Sequence, residues 1–219
     1  YMAYMFKATD FNGDISSWDV SNVTSMVGMF QCGGWDTETE FCSEKSPFNQ
    51  DISGWDMSNV TSIYHMFKGA EDFNQDISGW DVSNVTNMWG VFHNAISFNQ
   101  DISGWDVSSV TNMMDMFNDA EGFNQDISGW DVSSATNMTN IFLDADALSD
   151  ENKCAIHLTW SSNENWPYDW FGLCNFTDIT QGNIQTAVNL WVDDNASALS
   201  TYGPIRLWDV SLITNMSQL

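Results

Sequence analysis

The chain has 219 residues, 43% of them hydrophobic, and carries 30 acidic against 5 basic side chains, for a net charge of −25. This composition suffices for a hydrophobic core and excludes a disordered chain, while the charge excludes a nucleic-acid binder, which needs basic patches. No apolar run reaches the roughly 20 residues of a membrane helix. Such a surface suits metal cations, basic partners or a salty exterior. The alternative interpretation is that the negative charge only keeps a rod-shaped protein soluble.

A unit of about 25 residues recurs along most of the chain. The stretch from Phe73 to Ser83, FNQDISGWDVS, returns nearly unchanged from Phe98 and Phe123 and, earlier, from Phe48. A fixed period of this length is typical of a solenoid, in which each unit buries its apolar face only against its neighbours. We therefore predict a repeat solenoid over residues 1–147, and we interpret the chain as a piece of a longer array. A propeller is excluded because its blades need about 40–45 residues.

The hydrophobic pattern changes period within one unit. Ile77, Trp80 and Val82 match the opening of a leucine-rich repeat, where a short parallel strand is expected. From Val85 onward apolar residues follow at steps of three and four, as in a short amphipathic helix whose N-cap would be Ser83. The predicted fold class is an α/β solenoid of the leucine-rich-repeat type, with one short strand and one short helix per coil and an inserted helical segment.

Stacked coils would place like side chains in columns along the solenoid. Two Phe columns and one Trp column are predicted to form the core, each Trp finding a partner for its indole N–H. An Asn column is expected to bond backbone groups left unpaired between coils. The columns include Phe48, Phe73, Phe98 and Phe123; Phe67, Phe92 and Phe117; Trp80, Trp105 and Trp130; and Asn49, Asn74, Asn99 and Asn124.

Two aspartate columns are the candidate binding feature. One follows the Trp of each coil, on the solvent side of the predicted strand, and the other lies in the preceding turn. Carboxylates about 5 Å apart repel by roughly 1 kcal/mol in water, so Ca²⁺, backbone N–H bonds or raised pKa values should offset the repulsion. The alternative to Ca²⁺ is local N–H bonding in the turn column and plain solvation of the other. The candidate Ca²⁺ ligands are Asp56, Asp81, Asp106 and Asp131.

A 12-residue insertion near residues 31–47 interrupts the first repeats, and it contains Cys32 and Cys42. Cys154 and Cys174 lie in the non-repeat segment. Three pairings are open in principle, and locality favours Cys32–Cys42 and Cys154–Cys174. Disulfides persist outside the cytosol. A zinc site is the weaker alternative, since there is no C-x-x-C motif.

N-x-S/T sequons agree with secretion, although three of them belong to the repeat itself. The candidate glycosylation sites are Asn22, Asn59, Asn84, Asn137, Asn175, Asn195 and Asn215.

Residues 148–204 break the period. Ser149 precedes a predicted helix that runs through Trp160, and a second helix is predicted from Ile184 to near Asn195. We interpret the segment as a helical spacer or cap whose aromatic residues cover the end of the core; a ligand groove is the alternative. At Ile205 a further repeat starts, over residues 205–219.

No catalytic motif is present: there is no nucleophile elbow, phosphate-binding loop or H-E-x-x-H. The three histidines occupy different phases of the repeat. A catalytic carboxylate pair needs two distinct environments, whereas a repeat supplies identical ones, so we predict that the chain is not an enzyme.

The stretch FNQDISGWDVSNVTNM at residues 73–88 resembles the repeat of the BspA-like leucine-rich-repeat surface proteins, the mycoplasma lipoprotein-type repeat. The resemblance covers about 11–147 and 205–216, and residues 148–204 resemble the spacer of algal and other marine members. It implies a secreted or surface-exposed protein with roles in adhesion or matrix contact, and it transfers no functional residues.

We therefore predict an extracellular structural protein, a subunit or segment of a cell-surface fibre, sheath or appendage that needs no cofactor. Its expected partners are other protein chains or its own copies, with cell-surface or matrix glycans as further candidates, and neither nucleic acid nor membrane insertion is expected. The alternative is a surface adhesin or cation-binding module that uses the acidic face.

Overall fold

The computed structural model describes residues 1–35, 42–177 and 179–203, with the further positions 205, 208, 210, 211, 213 and 214; for Trp35 and Ser200 it describes the backbone alone. The chain forms two compact units, Tyr1–Asp169 and Trp170–Leu219. The repeat predicted to start at Ile205 lies largely outside the described residues. The elements are strands β1 (Gly33–Trp35) and β2 (Cys42–Glu44), helices α1 (Asp150–Trp160), α2 (Ile184–Asp193) and α3 (Asn195–Tyr202), and a 3₁₀ turn at Phe171–Leu173.

The predicted α/β solenoid, with a strand and a helix in every coil, is wrong. Between residues 1 and 149, the described part of the chain contains only β1 and β2, which form one antiparallel hairpin, and no helix. The repeats consist of successive tight turns. Neighbouring repeats share one isolated parallel bridge each, in the series Ser25, Ser62, Asn87, Asn112 and Asn137. The first unit is thus a stack of turn-built repeats with little regular secondary structure.

The segment predicted as a helix contains left-handed residues, which a right-handed helix excludes. The backbone φ is +55° at Gly90 and +57° at Asn94. Its N–H groups alternate in direction: that of Val91 bonds the carbonyl three residues earlier, whereas its neighbours bond the next repeat. The bonds to the next repeat run from Gly90 to Met114, from Phe92 to Met116 and from Asn94 to Asn118. Steps of three and four residues occur in such turns as well as in helices.

The predicted strand around Trp80 lies between two tight turns, each held by an aspartate. Asp76 Oδ1 accepts the N–H of Ser78 at 2.9 Å, and Asp81 Oδ1 accepts that of Ser83 at 3.1 Å. These Asx turns bend the chain every few residues and use N–H groups that a strand would offer to its neighbours. Parallel pairing is therefore reduced to one bridge residue in each repeat.

The predicted phenylalanine columns are confirmed. The ring of Phe92 is fully buried, and its centroid lies 5.8 Å from that of Phe67 and 5.6 Å from that of Phe117. Phe98, from the second column, stacks on Phe92 at 3.9 Å. Because each ring contacts rings in its own repeat and in both neighbouring repeats, the core is continuous along the stack.

The tryptophan column is also confirmed, and it shows that the repeats stack in register. Trp105 lies 6.4 Å from Trp80 and 6.3 Å from Trp130, with nearly parallel rings. The indole N–H of Trp105 donates to the Ile77 carbonyl at 3.1 Å, as expected for a buried tryptophan. Trp55, Trp80 and Trp130 make the equivalent bond in their repeats.

The asparagine column bonds one repeat to the next, as predicted. Asn99 Oδ1 accepts the N–H of Asn124 at 2.8 Å and the side-chain amide of Gln125 at 2.7 Å. The same arrangement recurs at Asn49 and Asn74. The amide side chains therefore supply hydrogen bonds where no strand pairing exists.

Helix α1 follows the last repeat and confirms the predicted helix. Ser149 is its N-cap, and the Ser149 N–H and the Asn152 side-chain amide both donate to Asn124 Oδ1, at 3.0 Å and 2.9 Å. These two residues replace the Asn and Gln of a further repeat. Trp160 continues the tryptophan column, 6.1 Å from Trp130. Within the first unit, α1 therefore caps this end of the core.

The insertion forms the β1–β2 hairpin, in which Gly33 pairs with Glu44 and Trp35 with Cys42. A disulfide joins Cys32 to Cys42, whose Cα atoms are 5.9 Å apart. None of the four cysteines is a free thiol; the Cys154–Cys174 pairing stays a prediction. Positions 36–41, between the two strands, lie outside the described residues.

The second unit has a small core of its own around Ile184 and Ala187 of α2, with Ile179. The predicted second helix is confirmed over Ile184–Asp193, whereas α3 was not predicted. Asp194 separates the two helices, and its Oδ1 caps α3 by accepting the N–H of Ser197 at 3.2 Å. Among the described residues, no helix has the length and apolar character that a membrane span requires.

Candidate functional site

The aspartates that follow each Trp are exposed, and each is held by a serine of its own turn. Asp106 Oδ1 accepts both the hydroxyl of Ser108 at 2.6 Å and its backbone N–H at 3.0 Å. These bonds lower the pKa of Asp106, which the neighbouring Asp131 raises to a lesser extent. Asp19, Asp56, Asp81 and Asp131 likewise accept the N–H of the serine two residues later. We call these five residues the Trp-adjacent acidic column.

The turn aspartates make the local N–H bonds that the sequence predicted. Asp51 Oδ1 accepts the N–H of Ser53 at 2.9 Å. This bond lowers the pKa of Asp51, against smaller raising effects of its burial and of Asp14 and Asp76 in the adjacent repeats. The same bond recurs at Asp14, Asp76, Asp101 and Asp126. Both columns therefore present carboxylates to solvent, and those with a lowered pKa, such as Asp51 and Asp106, are ionised at neutral pH.

The candidate Ca²⁺ ligands Asp56, Asp81, Asp106 and Asp131 each use one oxygen within their own turn. In the described part of the chain, no group of three or more His, Cys, Asp or Glu side chains is placed to hold a metal ion. A Ca²⁺ site on the Trp-adjacent acidic column thus stays a prediction that rests on the spacing of the repeat.

A second surface is formed by the positions at which the repeats differ from one another. Four positions in the turns that follow the bridge residue vary in size and charge, whereas the stretch from the repeat's first Phe to the bridge residue is nearly constant. We call the twelve residues at these positions in three successive repeats the variable turn face; all are buried or half-buried. They are Tyr64, His65, Lys68 and Gly69; Trp89, Gly90, His93 and Asn94; and Met114, Asp115, Asn118 and Asp119.

Large and small residues alternate along the variable turn face. His65 adopts a φ of +55°, and its ring lies over Gly90 of the next repeat, where an added Cβ would come within 2.5 Å of His65 Cδ2. Tyr64 and Trp89 lie beside the imidazole, with ring centroids 3.9 Å and 5.3 Å from it. The glycine in one repeat therefore makes room for the histidine of the previous one.

Polar groups of the variable turn face bond across repeats. The Trp89 indole N–H donates to Asp115 Oδ2 at 3.1 Å. The other carboxylate oxygen, Asp115 Oδ1, is buried without a hydrogen-bond partner, as are Asn118 Oδ1 and His65 Nε2. A buried polar atom without a hydrogen bond lowers the stability of the fold. The polar atoms of the variable turn face are therefore less completely hydrogen-bonded than those of the acidic columns.

The variable turn face contains two of the three histidines of the chain, His65 and His93, together with Lys68. Burial is the main cause that lowers the pKa of His65 to about 2 and that of His93 to about 3, and the charge of Lys68 adds to both shifts. The side chain of Lys68 is itself buried. Both imidazoles are therefore neutral at physiological pH.

Sequence reasoning missed the variable turn face, because it attended to what the repeats share. The signal was present: His65 and His93 occupy different phases of the repeat, yet both fall in the six-residue window of turns that contains the four variable positions. A position-by-position comparison of the repeats would have found this window.

The candidate glycosylation sites differ in how their amides are used. Asn59 donates its side-chain N–H to the Ser21 carbonyl, and Asn84 donates to that of Ser58, both at 2.8 Å. The Asn22 side chain is exposed, as are those of Asn175 and Asn195, whereas Asn137 is half-buried. Asn215 lies outside the described residues.

Comparison with known proteins identifies the family. The family described as "Mycoplasma protein of unknown function, DUF285" matches residues 1–38 and 35–154. These ranges include the repeats of residues 1–147 and make up well over half of the chain, which therefore belongs to this family. No curated protein and no solved structure matches the chain.

Proposed function

We propose that this chain is an extracellular structural protein, a segment or subunit of a cell-surface fibre, sheath or appendage assembled through protein–protein contacts. The observation that carries the proposal is the in-register stack, in which side chains such as Trp80, Trp105 and Trp130 recur at nearly constant separations. A stack of this kind repeats the same exposed groups along one direction. Many equal weak contacts then act together, because each contact raises the effective concentration for the next.

The surface location is supported by the oxidised cysteines and by the resemblance to the BspA-like surface proteins. Mass spectrometry of the chain from its native host tests this part of the proposal. We expect intact disulfides, together with glycans at the exposed Asn175 and Asn195 in a host that performs N-glycosylation. Free thiols in the native protein would contradict an exterior location.

Assembly is tested by sedimentation and electron microscopy of the full chain over a range of protein and salt concentrations. The proposal predicts ordered polymers, favoured by higher salt because screening reduces the repulsion between chains of net charge −25. A particle that remains monomeric in every condition would overturn the structural role.

The second candidate function is that of a surface adhesin. The variable turn face favours it, since the unlike side chains of Tyr64, Trp89 and Met114 occupy the same half-buried position in three successive repeats. A monomer that binds one partner, and loses it on substitution at these three positions, would support the adhesin. A cation-binding role for the Trp-adjacent acidic column is tested separately: a chelator should then lower the melting temperature.

A further inference from the structure

A groove of about 480 Å³ lies between the last repeat and the segment that follows α1. Its apolar lining residues, Trp130, Val132 and Ala135, are buried. Its polar lining residues are Asp131, Ser133 and Thr136 from the last repeat, Thr159 from α1, and Ser162, Asn163, Glu164 and Asn165 from the segment after α1. The volume falls in the range of about 300–1,000 Å³ that is usual for ligand sites.

The groove exists because α1 does not reproduce the path of a repeat. Trp80 follows Phe73 by 7 residues, whereas Trp160 follows Leu148, at the equivalent position, by 12. The chain after Trp160 therefore does not cover the last repeat as another repeat would. Asn163 ties this segment to the last repeat, since its side-chain amide donates to the carbonyls of Val132 and Ala135 at 2.7 Å and 3.0 Å.

The hydrogen-bond donors of the groove are largely used within the protein. The Asn163 amide is occupied as described, and the Thr136 hydroxyl donates to the Thr111 carbonyl at 3.0 Å. The Thr159 hydroxyl donates to the Ser128 carbonyl at 2.9 Å. Asp131 and Glu164 are the acidic residues that line the groove, and none of its described lining residues is basic. A ligand must therefore supply donors and positive charge.

We propose that this groove binds a basic side chain, a guanidinium or ammonium group carried by a segment of another protein. A cation in the groove would form charge-assisted bonds with Asp131 and Glu164, and the apolar lining residues would accommodate its aliphatic stem. The partner is a different protein and not a second copy, because this chain has only 5 basic residues, of which Lys68 is buried. Binding of such a side chain does not depend on whether the chain polymerises.

The test is an NMR titration of the ¹⁵N-labelled full chain with a short peptide whose single charged side chain is arginine. The matched control peptide carries citrulline, which has nearly the same shape and no charge. We expect saturable shifts at the amides of Ser133, Thr136 and Asn165 with the arginine peptide, and none with the citrulline peptide. Equal shifts with both peptides, or no saturable shift with the arginine peptide, would overturn the proposal.

The chain offers a matched control for the variants. Asp131→Asn and Glu164→Gln each remove one groove carboxylate, whereas Asp106→Asn removes the same charge from the equivalent turn one repeat earlier. We expect each groove variant to weaken binding about tenfold and Asp106→Asn to leave it nearly unchanged, with all three melting like the wild type. Equal losses for Asp131→Asn and Asp106→Asn would show general attraction to an acidic surface and contradict a site in the groove.

Discussion

The acidic columns and the variable turn face belong to the same stack but are built on opposite principles. Each aspartate of the columns is exposed and bonded within its own turn, as in the pair Asp106 and Ser108. The variable turn face is buried and bonded between repeats, as in the pair Trp89 and Asp115. A side chain that forms its hydrogen bonds within its own turn can recur identically in every repeat. A side chain that packs against the next repeat requires a partner of complementary size and polarity there. The positions that are constant between repeats thus build the stack, and the positions that vary determine the contacts of the variable turn face.

The largest effect is expected in the core that supports both surfaces. Phe92→Ala removes a fully buried ring that stacks on Phe67, Phe98 and Phe117, and it should lower the free energy of unfolding by about 3–5 kcal/mol. Met114→Ala, on the half-buried variable turn face, should cost only about 1 kcal/mol. Urea denaturation measures both changes. Equal losses of unfolding free energy in the two variants would contradict the difference in packing between the core and the variable turn face.

Acid should distinguish the two surfaces. The pKa values of His65 and His93 lie near 2 and 3 in the folded chain, below the usual 6.5, so the unfolded chain binds more protons below pH 6.5. The free energy of unfolding is therefore unaffected by these histidines above pH 6.5. Below pH 6.5 it falls by about 1.4 kcal/mol per pH unit for each histidine. At pH 5 the loss is about 2 kcal/mol for each.

Matched variants isolate this effect, since other repeats supply compatible residues at both positions. His65→Gly copies Gly90, and His93→Asn copies Asn118. The double variant should lose little stability between pH 7 and pH 5. Asp19 and Asp56 of the Trp-adjacent acidic column respond in a lower window, because their lowered pKa values leave these carboxylates ionised until the pH falls below about 3.8. A wild-type free energy of unfolding that is equal at pH 7 and pH 5 would contradict the burial of the histidines.

The alternation of histidine and glycine predicts a smaller effect. Gly90→Ala places a Cβ against the His65 ring at a φ of +55°, and it should cost about 1–3 kcal/mol. Gly104→Ala is the control, since nothing lies within 4 Å of the added atom. In a His65→Gly background the clash disappears, and only the backbone cost of about 1 kcal/mol should remain. An unchanged cost in that background would show that the ring does not occupy this space.

The smallest effect is expected on the Trp-adjacent acidic column. Asp106→Asn keeps an oxygen that accepts the Ser108 N–H, so the melting temperature should not change measurably in the presence of a chelator. If Ca²⁺ binds the column, added Ca²⁺ should stabilise the wild type more than the variant. An identical response of the two proteins to Ca²⁺ would remove Asp106 from the set of candidate ligands.

The period of the sequence predicted which side chains form columns, but it did not predict that the backbone of each repeat is built from turns. The Phe, Trp and Asn columns follow from stacking like on like, and α1 followed from Ser149 and the acidic residues after it. The fold class was wrong because turns and helices share the spacing of three and four, and because left-handed positions such as His65 and Asp115 carry no glycine to reveal them. The groove depends on how the chain beyond Trp160 departs from a repeat, which no local pattern encodes.

The central claim is that the turns of one repeat bond to those of the next, and through-hydrogen-bond NMR couplings test it most directly. The structure predicts a coupling between the Phe92 amide nitrogen and the Met116 carbonyl carbon, joined by a hydrogen bond of 3.0 Å. A helix at the same place would couple that nitrogen to the Met88 carbonyl, four residues earlier. Observation of the Met116 coupling would support the turn-built stack, and observation of the Met88 coupling would contradict it.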